Sequence, residues 1–246
     1  NGRLNFEKKY YDLDCSKIKA DVIICRHVIE HIQEPLSLLK LIKSSLGTSK
    51  SVKIYFETPT VDWILKNEII YDFFYEHCSY FNLNSLRVAF ELSGFKVSEA
   101  KTVFEGQYMW FESIPTNKKL KIKMNPSKTP ELAKKFLENE KKIVHEWREK
   151  IKKLAKNEKI AIWGAGAKGV TFCNLIDPNC EFFKFVIDLN PKKHGKFIAG
   201  TGHKIINFKE IPTLKITKAV LMNSNYYKEN LDLLKKLNIN IELLDT

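Results

Sequence analysis

The sequence lacks any apolar run near the roughly 20 residues that a helical membrane span requires, so a transmembrane anchor within these residues is not expected. It also lacks a CxxC pair. Its five cysteines, Cys15, Cys25, Cys78, Cys173 and Cys180, are scattered and odd in number. That argues against a disulfide framework and against a zinc site, so no metal ligands are assigned and a reducing cytoplasm is the simplest setting. The opening stretch Asn1-Gly2-Arg3-Leu4-Asn5 has neither the pattern of a signal peptide nor an initiator methionine. The expectation is therefore that residue 1 is not the first residue of the gene product. With 44% hydrophobic and 28% charged residues, the 246-residue chain otherwise has the makeup of a globular α/β protein with one or two domains.

Lys and Arg outnumber Asp and Glu by 41 to 29, and the net charge is +12. A surplus of that size raises nucleic acid as a partner, but its placement weakens the idea. Residues 118–159 hold 15 Lys/Arg against 6 Asp/Glu, nine of the twelve net charges. Lysine dominates there, and the two aromatics, Phe136 and Trp147, fall on an apolar helical face. A solvated helix face or attraction of a phosphorylated substrate explains this better than nucleic-acid binding.

Residues 20–25 (ADVIIC) read as a short buried parallel strand, followed by a helical pattern from Val28 to Leu46 in which Pro35 marks the helix start and Gly47 the stop. Val52–Phe56 reads as a second strand closed by Thr58-Pro59. Asn82 or Asn84 caps a helix ended by Gly94, and Phe95-Lys96-Val97 restarts a strand. Thr129-Pro130-Glu131 opens an amphipathic helix of about 38 Å. Beyond it, a strand, a glycine-rich turn, a helix and further strands at 183–187, 219–222 and 239–244 give a second α/β unit. The expected domains are 1–115, a basic linker with the long helix at 116–157, and 158–246.

Three groups of residues suggest chemistry. Tyr75-Glu76-His77-Cys78-Ser79-Tyr80-Phe81 follows a run that reads as a strand end and gathers a carboxylate, an imidazole and two phenols. There His77 suits general base work, Glu76 suits orienting it or binding substrate hydroxyls, and Tyr75 and Tyr80 suit enolate stabilisation. A partly buried aromatic turn explains the same residues equally well. Arg26 and His27 fall at the end of a parallel strand, where such sheets bind ligands, or are simply polar residues at an exposed strand end. The pair Glu30-His31 reads as capping or packing the next helix. Gly164, Gly166 and Gly169 form GxGxxG after a strand, with Lys168 inside it and Asp188 nineteen residues beyond Gly169. That spacing fits a dinucleotide site, or the small residues any Rossmann-like unit needs at its first turn. The loop Asp188-Leu189-Asn190-Pro191-Lys192-Lys193-His194-Gly195 favours the second view.

Taken together, DVIICRHVIEHIQEP, FETP with YEHCSYFNLNSLRVAFELSGFKV, and WGAGAKG with DLNPKKHG resemble the two-domain sugar C-methyltransferases, which use S-adenosylmethionine. The resemblance implies a partial class I methyltransferase sheet, Rossmann-like in character, a long connecting helix and a second Rossmann-like doubly wound domain. It implies that His77 is the base acting beside a 4-keto group and Glu76 a substrate contact. It places Arg26 and His27 at the cofactor's methionine and ribose portion, with Asp12, near the end of a preceding strand, at the adenine. Glu57, Gly164, Gly166, Lys168, Gly169 and Asp188 fall to the nucleotide-linked sugar. The family's usual Tyr and His before the glutamate are Phe74 and Tyr75 here. The glycine-rich cofactor loop and the cysteine-rich zinc module are expected in about 150 further upstream residues. Two competing readings are an NAD-dependent oxidoreductase using GAGAKG and a non-catalytic nucleotide-sugar-binding remnant.

Overall fold

The computed structural model describes residues 3–47, 49, 51–118, 120–122 and 125–245. Asn1 and Gly2 of the opening stretch, and Lys119 and Lys123 of the basic segment, lie outside the described residues. Contacts divide the chain into one unit of residues 1–67 and 75–133 and another of residues 68–74 and 134–246.

In the first unit, β1 (Val22–Arg26) runs parallel to β2 (Lys53–Pro59), joined by a 3-10 turn at Ile29–His31 and helix α1 (Pro35–Ser45). Pro35 occupies the first turn of α1, where its missing N–H costs nothing, so the helix begins there rather than at Val28. After α2 (Val61–Lys66), Asn82 caps α3 (Leu83–Leu92) through a reciprocal box with Ser85. Two strands follow, β3 (Phe95–Val103) and β4 (Tyr108–Pro115), giving the order β1-β2-β4-β3. β4 is antiparallel to both neighbours, so this sheet is mixed rather than wholly parallel. Alternation in β4 buries Met109, Phe111 and Ser113 on one face. With Phe56, Phe90 and Phe95 they fill the core, each buried aromatic contributing about 1.5–3 kcal/mol.

Three readings of this unit are corrected. β1 is not buried: it stands at the sheet edge, and Val22 and Ile24 are exposed. Among the described residues no strand precedes Asp12, which instead leads into a 3-10 turn at Leu13–Lys17. No strand ends before Tyr75 either. Residues Ile70–Asp72 form a 3-10 turn whose Ile70 and Tyr71 side chains belong to the core of the second unit.

The second unit holds most of α4 (Thr129–Ala155), whose Phe136, Ile143, Val144, Trp147 and Leu154 pack against the core around Phe172. Its sheet comprises β5 (Ile160–Trp163), β6 (Phe185–Ile187), β7 (Lys204–Ile206), β8 (Lys218–Leu221) and β9 (Glu242–Leu244), all parallel, in the order β7-β6-β5-β8-β9. With α5 (Ala167–Ile176) and α6 (Tyr227–Lys236) this is a doubly wound arrangement whose order reverses between β5 and β8. Among the described residues no helix is long and apolar enough to cross a membrane.

Candidate active site

Parallel pairing sets Arg26 beside Glu57 at the carboxyl ends of β1 and β2. One oxygen of Glu57 accepts hydrogen bonds from Arg26 Nε at 3.1 Å and Nη2 at 2.7 Å, and lies 3.1 Å from His27 Nε2. Glu57 is thereby engaged by the two residues expected to meet a cofactor. His27 has φ +52°, a left-handed conformation that costs a non-glycine residue about 1–3 kcal/mol and concentrates at functional sites. Its other ring nitrogen, Nδ1, stands 3.5 Å from Glu30 Oε1. Contact with the Glu30 carboxylate raises the His27 pKa; burial opposes this, and the Glu57 charge adds to it. For Glu30 itself, burial pushes the pKa up, but His27, its own backbone N–H and Thr58 outweigh that and hold it below the ordinary range. Glu30 is thus a buried carboxylate facing this cluster, not a helix-packing residue. Cys25 is no nucleophile, because burial pushes its thiol up to about 12.

The 75–81 segment is fastened to the turn that follows β1. Ser79 N donates to the Glu30 carbonyl at 3.1 Å, and His31 Nδ1 lies 3.1 Å from the Glu76 carbonyl. This brings His77 edge-on to His31, with ring centroids 4.8 Å apart, and 5.6 Å from the Tyr80 ring. Two predicted residues do not join them through their side chains. Tyr75 is fully exposed, and Glu76 is exposed, contributing its backbone carbonyl. Asp12 is held locally, accepting from Cys15 Sγ at 3.6 Å.

In the second unit the glycines shape a turn. Gly164 has φ +117°, and a Cβ on Gly169 would fall 1.8 Å from the Gly164 carbonyl oxygen. Only glycine permits that approach of helix to strand. A crevice of about 460 Å³ opens there, lined by Phe74, Trp163, Gly166, Leu189, Met222 and Tyr226 among others. Asp188 faces it, but its carboxylate already accepts from Ala165 N and Asn190 N at 2.8 Å and from Lys193 Nζ at 3.2 Å. An acid bound in this way closes the turn and is poorly placed to receive ribose hydroxyls. Lys168 pairs with Asp72 at 2.8 Å.

Residues 2–100 match the family model for a methyltransferase domain, and residues 122–238 match that for a C-methyltransferase C-terminal domain. The tandem supports a C-methyltransferase family. No curated protein matches. Among solved structures, a UDP-D-quinovosamine 4-dehydrogenase from Vibrio fischeri is 22% identical over 36% of this chain and 76% of its own, with a TM-score of 0.28. The Rex-family repressor RSP is 19% identical over 36% of this chain and 52% of its own, also at 0.28.

Within the stretch that matches the methyltransferase model, the structure gathers Arg26, His27 and Glu57 in one network, and His77 with Tyr80 in another cluster. Sequence reading missed the parts played by Glu30 and His31. Their signal was available: an acidic residue and a histidine just after the Arg26-His27 strand end, ahead of a proline that delays the helix. In the stretch that matches the C-methyltransferase C-terminal model, Gly164, Gly166, Lys168, Gly169 and Asp188 lie around the first turn.

Proposed function

We propose that the chain carries the proton-removing side of a C-methyltransferase acting on a nucleotide-linked ketosugar, with S-adenosylmethionine as methyl donor. The observation that carries this reading is His77, held between His31 and Tyr80 on a loop pinned to the end of β1. A carbonyl acidifies the carbon beside it, and His77 accepts the proton released there. The Tyr80 phenol stands close enough to the imidazole to share a substrate with it and to stabilise the enolate oxygen. Tyr75, fully exposed, is assigned no part.

Gly47, Gly94 and Gly106 of the first unit follow α1, follow α3 and sit in the β3–β4 turn, so none forms a glycine-rich turn after a strand. Arg26 and His27 are both drawn to Glu57. The role proposed for His77 and its neighbours is substrate holding and proton removal. The crevice of the second unit, taken by itself, suits a nucleotide beside Gly164 and Gly166, where an added Cβ at Gly166 would meet open space. The engaged Asp188 counts against nicotinamide dinucleotide there, which predicts no quenching of Trp163 fluorescence by NAD(H).

The test is deuterium wash-in at the carbon beside the ketone of a nucleotide-linked 4-ketosugar incubated with the protein in D2O. Exchange is expected with the native chain and lost in His77→Asn. Exchange undiminished in that variant would sink the base assignment. Calorimetric titration of the full gene product with S-adenosylhomocysteine tests the donor separately: binding supports it, and none by a folded protein removes it.

A further inference from the structure

We propose that Glu30, His31 and His77 form a binding site for one borderline divalent transition-metal ion such as Zn2+. The three residues offer ligand atoms that all lie within 4.8 Å of one another. An ion seated between the three atoms draws them together until each stands about 2.0–2.2 Å from it, the bond length for imidazole nitrogen and carboxylate oxygen. Two further observations point to an ion rather than to chance proximity. First, the Glu30 side chain is almost wholly buried, with Oε2 accepting from Thr58 Oγ1 at 2.9 Å, while Oε1 has no hydrogen-bond partner. His27 Nδ1, at 3.5 Å, gives Oε1 charge but no hydrogen bond. A buried carboxylate oxygen with no hydrogen bond keeps a lone pair that a further positive group, beside His27, can meet.

Second, His31 is already arranged as a ligand. Its Nδ1 faces the Glu76 carbonyl, which can only accept, so the hydrogen sits on Nδ1 and the lone pair on Nε2. Donation from the non-ligating ring nitrogen to a backbone carbonyl is how metal-binding histidines are oriented. Two imidazoles and one carboxylate select borderline ions over Ca2+ or Mg2+. Three protein ligands leave at least one position for water or a substrate oxygen. The ion takes the His77 lone pair that the proposed base uses, so ion binding and proton removal exclude each other at one time; the site does not rest on the methyl-transfer reading, because an ion can bind without sugar or donor.

The experiment is a titration of the full chain, kept reduced, with Zn2+ by calorimetry and with Co2+ by visible absorption. One equivalent is expected to bind with a micromolar or tighter Kd, with ligand-field bands for Co2+. His31→Ala and Glu30→Gln should each weaken binding by at least about tenfold, the scale set by outer-sphere losses alone. His145→Ala, at an exposed position on α4, should leave it unchanged. His31 is exposed, so its variant should keep the native circular dichroism even if Glu30→Gln does not. Absence of binding, or full binding by folded His31→Ala, overturns the site. Neither result touches the deuterium exchange of metal-free protein, so the two readings fail separately.

Discussion

The two units use the ends of their parallel strands in opposite ways. In the first, polar groups face one another around open chemistry: Arg26 and His27 share Glu57, and Glu30 stands buried beside His27. In the second, the charges are absorbed by the scaffold: Asp188 ties down Ala165 N, Asn190 N and Lys193, and Lys168 answers Asp72. What remains in that crevice is a glycine turn and apolar walls. Related architectures thus leave a reactive cluster in one case and a holding surface in the other. The difference lies in whether a carboxylate meets imidazoles or backbone N–H groups.

The contrast can be broken most sharply at His77. His77→Asn should lower exchange at the ketosugar by about 10²–10⁴-fold, read by mass spectrometry, with the thermal transition nearly unmoved. In the second unit the largest effect should fall on stability. Gly169→Ala forces a methyl against the Gly164 carbonyl oxygen, and a loss of at least about 1–3 kcal/mol in urea unfolding is expected. Crevice binding should weaken with it.

A smaller effect concerns pH. Asp177 is buried, which pushes its pKa up, but His203 and the backbone N–H groups of Glu181, Phe183 and Phe182 outweigh burial and hold it low. Its contribution is therefore complete above the ordinary aspartate value of 3.8 and lost as pH falls through the lower folded value. Asp177→Asn should lower stability at neutral pH by about 1.5–3 kcal/mol and flatten this acid-side fall, as followed by circular dichroism from neutral to strongly acidic pH. The smallest effect is expected at Tyr75→Phe. With the ring fully exposed, exchange should stay within about twofold of the native rate.

Much of this was legible in the residues. Pro35, Asn82 and Gly94 announced element boundaries because each has a local reason for its place: a missing N–H, a capping amide, a positive φ of 85°. β4 was missed although Met109, Phe111 and Ser113 alternate inward, because its pairing partners are fixed by tertiary structure rather than by neighbours. β7, three residues inside a glycine-rich loop, is set by its ladder to β6 in the same way. At the site, His77 and the Arg26-His27 pair stood out by residue type. Glu30 and His31 did not, since helical periodicity explained them as well as their actual place in a 3-10 turn. Tyr75 was overvalued because composition says nothing about which of two phenols turns inward.

The insertion of β4 between β2 and β3 has a consequence for how the protein is made. Ile54 must wait for Ser113, some sixty residues later, before the middle of its sheet exists. Until β4 leaves the ribosome, β2 lacks its neighbour on that side, and Phe56 stands without the Phe111 strand beside it. Closure of the first unit is therefore a late, long-range event in synthesis, and the strand ends that hold Arg26, His27 and Glu57 take their final support only when residues up to Pro115 have emerged.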